Sequence, residues 1–228
     1  MTRPTMIVFD VNETLLDLET LTPIFARIFG DRLAMRLWFS NLILYSEALT
    51  LAGIYMPFTE IGAAVLQMLA DAARVTVTAS DKAELGEKFA AMPPHREVPE
   101  ALKSLRRAGF RLFTLTNNLV EVQTQQLERG GIVDLFEKRF SVDAPQVRRH
   151  KPAPEVYAYV ERQLGAAASQ LIMVACHTWD TLGAAAAGWG AALVRRPGND
   201  LLAVGPQPTL VGEDLADVAS QIIQLLAS

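Results

Sequence analysis

Met6-Ile7-Val8-Phe9-Asp10-Val11-Asn12-Glu13-Thr14-Leu15-Leu16-Asp17 is the stretch from which the fold follows. Four consecutive apolar residues, Met6 to Phe9, read as a strand buried on both faces, as in a parallel sheet. The strand ends on an acid. In open α/β sheets ligands bind at the carboxyl ends of the strands, so Asp10 is expected to point into a crevice as nucleophile, base or metal ligand. Thr14, four residues on, is placed to bond an anion or to orient the acid. The plainer alternative is that Asp10 only caps the turn that follows.

Composition narrows the classes. The chain has 228 residues, half of them hydrophobic, and a net charge of −4. That is enough for a sizeable core and gives no reason to expect nucleic-acid binding. A single cysteine, Cys176, excludes an internal disulfide and a zinc cluster. Met1 to Thr5 carries no signal-peptide pattern, so a cytoplasmic protein is the expectation. Leu33 to Met56 is apolar enough to raise the question of a membrane span. However, Arg36, Ser40, Glu47 and Thr50 fall within about 80° of one another at 100° per residue, which points to a packed helix instead. The surplus apolar surface calls for cover by a core domain and by a second copy of the chain, hence a homodimer.

Outward from the first strand, residues 18–92 read as helices: Leu21–Phe29, Leu33–Ala52, Phe58–Ala73 and Lys82–Ala91, the last with Ser80 as N-cap. Pro93-Pro94 marks a boundary. An alternating pattern follows, with a helix over Val98–Ala108, a strand over Arg111–Thr116 and a helix over Val120–Arg129. Next come a strand near Phe140–Val142, a helix over Pro154–Leu164 and a strand over Leu171–Ala175. A helix over Thr181–Gly188, a strand over Ala191–Val194 and a helix over Leu215–Leu226 close the chain. This is an α/β protein with a doubly wound parallel sheet. Residues 1–16 and 94–228 form its core, and 17–93 an inserted all-helical cap.

Each strand end supplies chemistry. Thr116 and Asn117 end the second strand, where a hydroxyl and backbone N–H groups can hold a carboxylate or phosphate. Thr and Asn capping an ordinary strand-to-helix turn would look the same. Lys151, followed by Pro152 and Pro154 at a helix entry, is aimed beyond the strand ends. There an ammonium would keep Asp10 ionised. The fourth strand ends in Val174-Ala175-Cys176-His177-Thr178-Trp179-Asp180.

These motifs, in this order, resemble those of the haloacid dehalogenase (HAD) superfamily, and more specifically its (S)-2-haloacid dehalogenase (type II) branch. The first motif is the strand, Asp10 and then Thr14. The second ends at Thr116, the third is Lys151 with Tyr157, and the fourth includes Trp179-Asp180. The resemblance implies a Rossmannoid core with a helical cap, Lys151 paired with the nucleophile, and Tyr157 lining the site. Phosphatases of the superfamily carry a second Asp two residues after the nucleophile and paired acids in the fourth motif, which serve Mg²⁺. Here those positions are Asn12 and Cys176, so neither a metal nor another cofactor is expected.

The implied reaction is hydrolytic dehalogenation of a small 2-haloalkanoic acid. Asp10 attacks C2 and expels halide, and water cleaves the resulting aspartyl ester, with Asp180 orienting or activating that water. Three positions depart from the branch. A cap arginine for the halide is replaced by Phe39, which becomes a candidate pocket wall, while Asn41 or a basic residue from elsewhere could take over its task. Ala175 stands for a serine. His177 stands for an asparagine and is either a neutral general base or a structural hydrogen-bond partner. Trp38 and Tyr45 read as core, Arg148 and Arg149 as a solvated face, and His95 and His150, beside prolines, as exposed. A phosphatase of small phosphate esters, and a family member that binds a carboxylate without halide turnover, remain the alternatives.

Overall fold

The computed structural model describes residues 4–227, with side-chain surroundings to 225. Strand β1 (Met6–Phe9) lies at the centre of a parallel sheet. It pairs with β2 (Arg111–Thr116) on one side and with β4 (Leu171–Ala175) on the other. Strand β3 (Lys138–Ser141) extends the sheet beyond β2, and β5 (Gly190–Val194) and β6 (Leu210–Gly212) extend it beyond β4. Among the described residues the order is β3-β2-β1-β4-β5-β6. The order reverses direction next to β1, which is where such sheets form their crevice.

The pleat explains why β1 is apolar throughout. Ile7 and Phe9 belong to one buried cluster, whereas Met6 and Val8 belong to a second on the opposite face. Burying each such side chain contributes about 1.5–3 kcal/mol. Helices α5 (Val98–Arg107) and α9 (Leu215–Ala227) contribute Leu102, Leu105, Val218 and Ile222 to the first cluster. Helix α7 (Pro154–Leu164) contributes Val156, Tyr157 and Val160 to the second. Helix α6 (Val120–Arg129) follows β2, and helix α8 (Thr178–Ala186) follows β4.

Between β1 and α5 lie four helices: α1 (Thr22–Phe29), α2 (Ala34–Leu51), α3 (Phe58–Ala73) and α4 (Ala79–Ala90). The chain leaves and re-enters at one place. Asp17 N–H donates to Pro93 O at 2.8 Å, and His95 N–H donates to Leu15 O at 2.9 Å. Helix α2 joins this block to the first cluster through Met35, Trp38, Phe39 and Leu42.

Several expectations are corrected. Helix α4 starts three residues earlier than read, because Thr78 rather than Ser80 caps it in a capping box with Asp81. Helix α8 begins at Thr178 rather than Thr181, which puts Asp180 in its first turn. Strand β6 went unread. The polar stripe of α2 does not face solvent throughout: Thr50 is buried and Arg36 is half-buried. Instead Leu33, Leu37, Leu44 and Leu51 are exposed, within about 40° of one another at 100° per residue. Tyr45 is exposed rather than core. No described helix is long and apolar enough to cross a membrane.

His150 is fully buried. Its ring stacks at 5.4 Å on Tyr55, and its Nε2 lies 3.0 Å from Met56 O. Half-buried Arg149 donates to Thr50 O at 2.7 Å, and half-buried His95 lies 2.8 Å from Glu13 O. These three residues therefore fasten loops together.

Phe9→Ala, which empties a fully buried site, is expected to lower unfolding free energy by about 3–5 kcal/mol. Leu51→Ala, at a residue 91% exposed, is expected to change it by less than about 0.5 kcal/mol. Urea titration of both variants checks the assignment of core and surface.

Candidate active site

Four segments meet at the carboxyl ends of β1, β2 and β4. Asp10 N–H donates to Val174 O at 3.0 Å, which continues the ladder of β1 and β4 for one more residue. Thr14 then ties the two strand ends together. Its hydroxyl donates to Asp10 Oδ2 at 2.7 Å and accepts from the Cys176 N–H at 3.0 Å. Thr14 therefore orients the acid.

Lys151 is fully buried between two carboxylates. Its Nζ lies 2.9 Å from Asp10 Oδ1, 2.5 Å from Asp180 Oδ2 and 3.0 Å from Leu115 O. The Lys151 N–H donates to Asn117 Oδ1 at 3.0 Å, so the end of β2 holds the lysine's backbone as well. Burial alone would raise the Asp10 pKa. Lys151 and His177 outweigh it and hold the carboxyl well below the usual range. Burial likewise opposes the Lys151 charge, and Asp10 and Asp180 overcome it, so the ammonium titrates above its ordinary value.

Asp180 is completed from behind. Tyr157 OH donates to its Oδ1 at 3.1 Å, which places Tyr157 against Asp180. Gly183 makes this approach feasible, because a Cβ there would collide with the tyrosine hydroxyl and with Pro152.

His177 is the feature that motif reading anticipated least well. Its Nε2 lies 2.8 Å from Glu13 Oε2 and its Nδ1 3.2 Å from Asp10 Oδ2. The second approach is a charge contact, since Nδ1 lacks an aligned hydrogen-bond partner. With a carboxylate at each nitrogen, the imidazolium is the form that suits both contacts. Burial disfavours that charge, but Cys176, Asp10 and Glu13 more than offset it, and the ring titrates well above the ordinary histidine value. Both contacts thus favour the imidazolium over the neutral imidazole of the general-base reading. Trp179 stacks on the ring at 4.9 Å, and Phe39 packs against it at 5.6 Å.

Two residues escaped the motif reading. Glu13 is buried and takes a left-handed backbone conformation (φ 65°), which turns its carboxylate toward His177. Arg36, from α2, pairs with both Glu13 and Glu19. An acid three residues after the nucleophile, beside a histidine at the facing strand end, was the available signal. Asn41 does not approach the site; its amide donates to Leu37 O at 2.9 Å within α2.

The remaining polar groups leave room for a ligand. Asn117 Nδ2 and Asn12 Oδ1 are buried without a hydrogen-bond partner among the described residues. Thr116 Oγ1 accepts from the Asn118 N–H at 3.2 Å. Beside Asn118 opens a cavity of about 180 Å³ between α2, α3 and α4, lined by Trp38, Leu42, Phe58, Leu66 and Phe89. Asp10, Cys176 and His177 bring an oxygen, a sulfur and a nitrogen within 4.8 Å of one another. Such a set suits a soft cation better than Mg²⁺. The Lys151 ammonium on the same carboxylate opposes any further cation, and His177 already serves Glu13.

Comparison with known proteins adds three findings. The model of a family described as haloacid dehalogenase-like hydrolase matches residues 4–188. Two relatives are each 27% identical. (S)-2-haloacid dehalogenase 2 of Pseudomonas sp. (strain CBS-3) aligns over 89% of this chain and 88% of its own length. Haloacetate dehalogenase H-2 of Moraxella sp. (strain B) aligns over 97% of each. The fold is similar to that of L-2-haloacid dehalogenase from Xanthobacter autotrophicus with chloropropionic acid covalently bound. There the TM-score is 0.86 and the identity 22%, covering 96% of this chain and 98% of the other.

Proposed function

Because the chain belongs to the haloacid dehalogenase-like hydrolase family, we propose that it hydrolyses small 2-haloalkanoic acids to 2-hydroxy acids through an ester on Asp10. One observation carries this reading. Asp10 is held ionised by Lys151 at 2.9 Å, while the facing end of β4 offers Cys176 in place of the first of the paired acids that Mg²⁺ would need, and the second, Asp180, is taken by Lys151 at 2.5 Å. The relatives' names, (S)-2-haloacid dehalogenase and haloacetate dehalogenase, support the same substrate class.

In the first step an Asp10 oxygen attacks C2, the carbon–oxygen bond forms and the carbon–halogen bond breaks, releasing halide. Halide needs no proton on departure, so the amide of Asn12, which cannot act as an acid, is no handicap. The substrate carboxylate takes the Thr116 hydroxyl and the unpaired Asn117 amide. Its alkyl part lies toward Phe39 and Trp179, with residues 17–93 acting as a cap over the core of 1–16 and 94–228. In the second step water attacks the Asp10 carboxyl carbon and releases the 2-hydroxy acid. Asp180, fixed by Tyr157, keeps Lys151 beside the carboxyl group throughout.

A single turnover in heavy-oxygen water is expected to label Asp10 and leave the hydroxy acid unlabelled, as read by peptide mass spectrometry. Halide release from 2-chloropropanoate is expected to continue unchanged in EDTA. Loss of turnover in EDTA, with metal-dependent release of inorganic phosphate from phosphate esters, would favour the phosphatase reading instead.

Burial raises Asp180 to about 6 against the pull of Lys151, whereas Asp10 stays ionised far below that. Protonating Asp180 loosens its grip on Lys151. Turnover is therefore expected to fall as pH drops through about 6. Asp180→Asn is expected to remove that acid limb along with most of the activity, which a pH–rate profile measures.

The exposed leucines of α2, Leu33, Leu37, Leu44 and Leu51, support a homodimer in which this face meets a second copy. Leu37→Glu combined with Leu44→Glu is expected to convert dimer to monomer in light scattering. A wild-type monomer at micromolar concentration would overturn this assignment.

A further inference from the structure

Six charged groups form one line of alternating sign through the site: Asp180, Lys151, Asp10, His177, Glu13 and Arg36. The first four come from α8, the segment before α7, and the ends of β1 and β4. Glu13 lies in the turn after β1, and Arg36 reaches in from α2. We infer that Glu13, seated by Arg36, is a positioning residue that holds His177 as an imidazolium against Asp10, and that esterification of Asp10 converts this histidine into the base for the second step. The inference rests on the Asp10 ester proposed above and assigns the proton handling at the same site.

Three observations support it. Glu13 occupies a left-handed conformation that costs a non-glycine residue energy, and it aims a buried carboxylate at Nε2. That contact fixes Nε2 as the protonated nitrogen in both charge states and leaves Nδ1 as the nitrogen that exchanges its proton. Nδ1 lies 3.2 Å from Asp10 Oδ2 without a well-aligned bond, so a water attacking the Asp10 carboxyl carbon can come within its reach.

The protons balance. In the free enzyme Nδ1 and Nε2 both carry hydrogen, facing Asp10 and Glu13. When Asp10 becomes an ester its negative charge is lost and two cations, Lys151 and His177, flank a neutral group. The Nδ1 proton then leaves to solvent, accompanying the halide. Nδ1 next takes a proton from the attacking water while the hydroxide bonds to the carboxyl carbon. Collapse expels the substrate oxygen, which picks up the proton of the new carboxyl group and departs as the 2-hydroxy acid. Asp10 is again a carboxylate and His177 again an imidazolium. The groups that set this exchange are Asp10 and Glu13 in direct contact, Cys176 beside the ring, Lys151 and Asp180 beyond Asp10, and Arg36 beyond Glu13. Trp179 and Phe39 pack against the ring and carry no charge.

Glu13→Gln keeps the shape and removes the charge. In rapid-quench measurements with 2-chloropropanoate, its first halide release is expected to stay within about threefold of wild type. Hydrolysis of the ester is expected to slow about 100-fold, so that the esterified Asp10 peptide accumulates. Equal slowing of both steps, or no slowing of the second, would overturn the inference. Failure of the wild type to form any ester would instead overturn the function proposed above. A second measurement does not depend on turnover or on the variant. With three histidines in the chain, nitrogen-15 NMR of the labelled wild-type protein is expected to show one imidazole protonated at both nitrogens at mildly alkaline pH. His177 found neutral there would also overturn the inference.

Discussion

A lysine with no exposed surface, clamped between two buried carboxylates, is the constraint on which this site depends. Removing each ion from water costs several kcal/mol, and a lone ion pair offsets that poorly. Here the pair is extended into a line in which every charge meets at least one opposite neighbour: Asp180, Lys151, Asp10, His177, Glu13 and Arg36. Hydrogen bonds from Thr14 and Tyr157, and from the lysine to Leu115 O, satisfy much of the remaining capacity. The fold supplies the geometry. Three adjacent parallel strands bring Asp10, Thr116 and Cys176 to one edge, and the chain reversal at Asp17 and Pro93 brings α2 back over it.

The same line explains why Asp10 stays ionised. Burial raises the pKa of a carboxylate; with Lys151 and His177 on two sides, Asp10 is instead held well below the usual carboxylate range. Holding an anion so firmly also restrains its attack. In the proposed reaction the energy of the line has to shift between the resting state and the ester, and the weakest link is the misaligned contact between His177 and Asp10. Lys151 cannot yield in the same way, because Asp180 and Leu115 O hold it even when Asp10 is neutral.

Much of this was legible in the sequence for a physical reason. A strand buried on both faces must be apolar, so an acid at its end stands out, and Asp10, Thr14, Lys151 and Asp180 meet as their motifs suggest. What stayed illegible depends on partners distant in the chain. Arg36 lies on a helix whose polar residues could equally have faced water, and nothing local shows that Glu13 waits for it. His150 sits among prolines, as an exposed loop residue would, yet Tyr55 and Phe58 enclose its ring. Strand β6 is three residues long, too short to display a period.

Phe39 shows how the departures from the resembled dehalogenases hang together. An arginine at that position would bring a guanidinium toward an imidazolium already held by Glu13, and like charges at such range repel. A phenyl ring 5.6 Å from His177, together with Trp179 stacked at 4.9 Å, instead offers π-electron density to the cation. The arginine carried by α2 lies nearly one turn earlier, at Arg36, and its charge reaches the nucleophile through Glu13 and His177. Phe39, His177, Glu13 and Arg36 are therefore one connected group, in which the positive charge beside Asp10 is carried at the end of β4. The cavity beside Asn118, lined by Trp38, Leu42 and Phe58, adds apolar surface on the same helix α2 that carries Phe39 and Arg36.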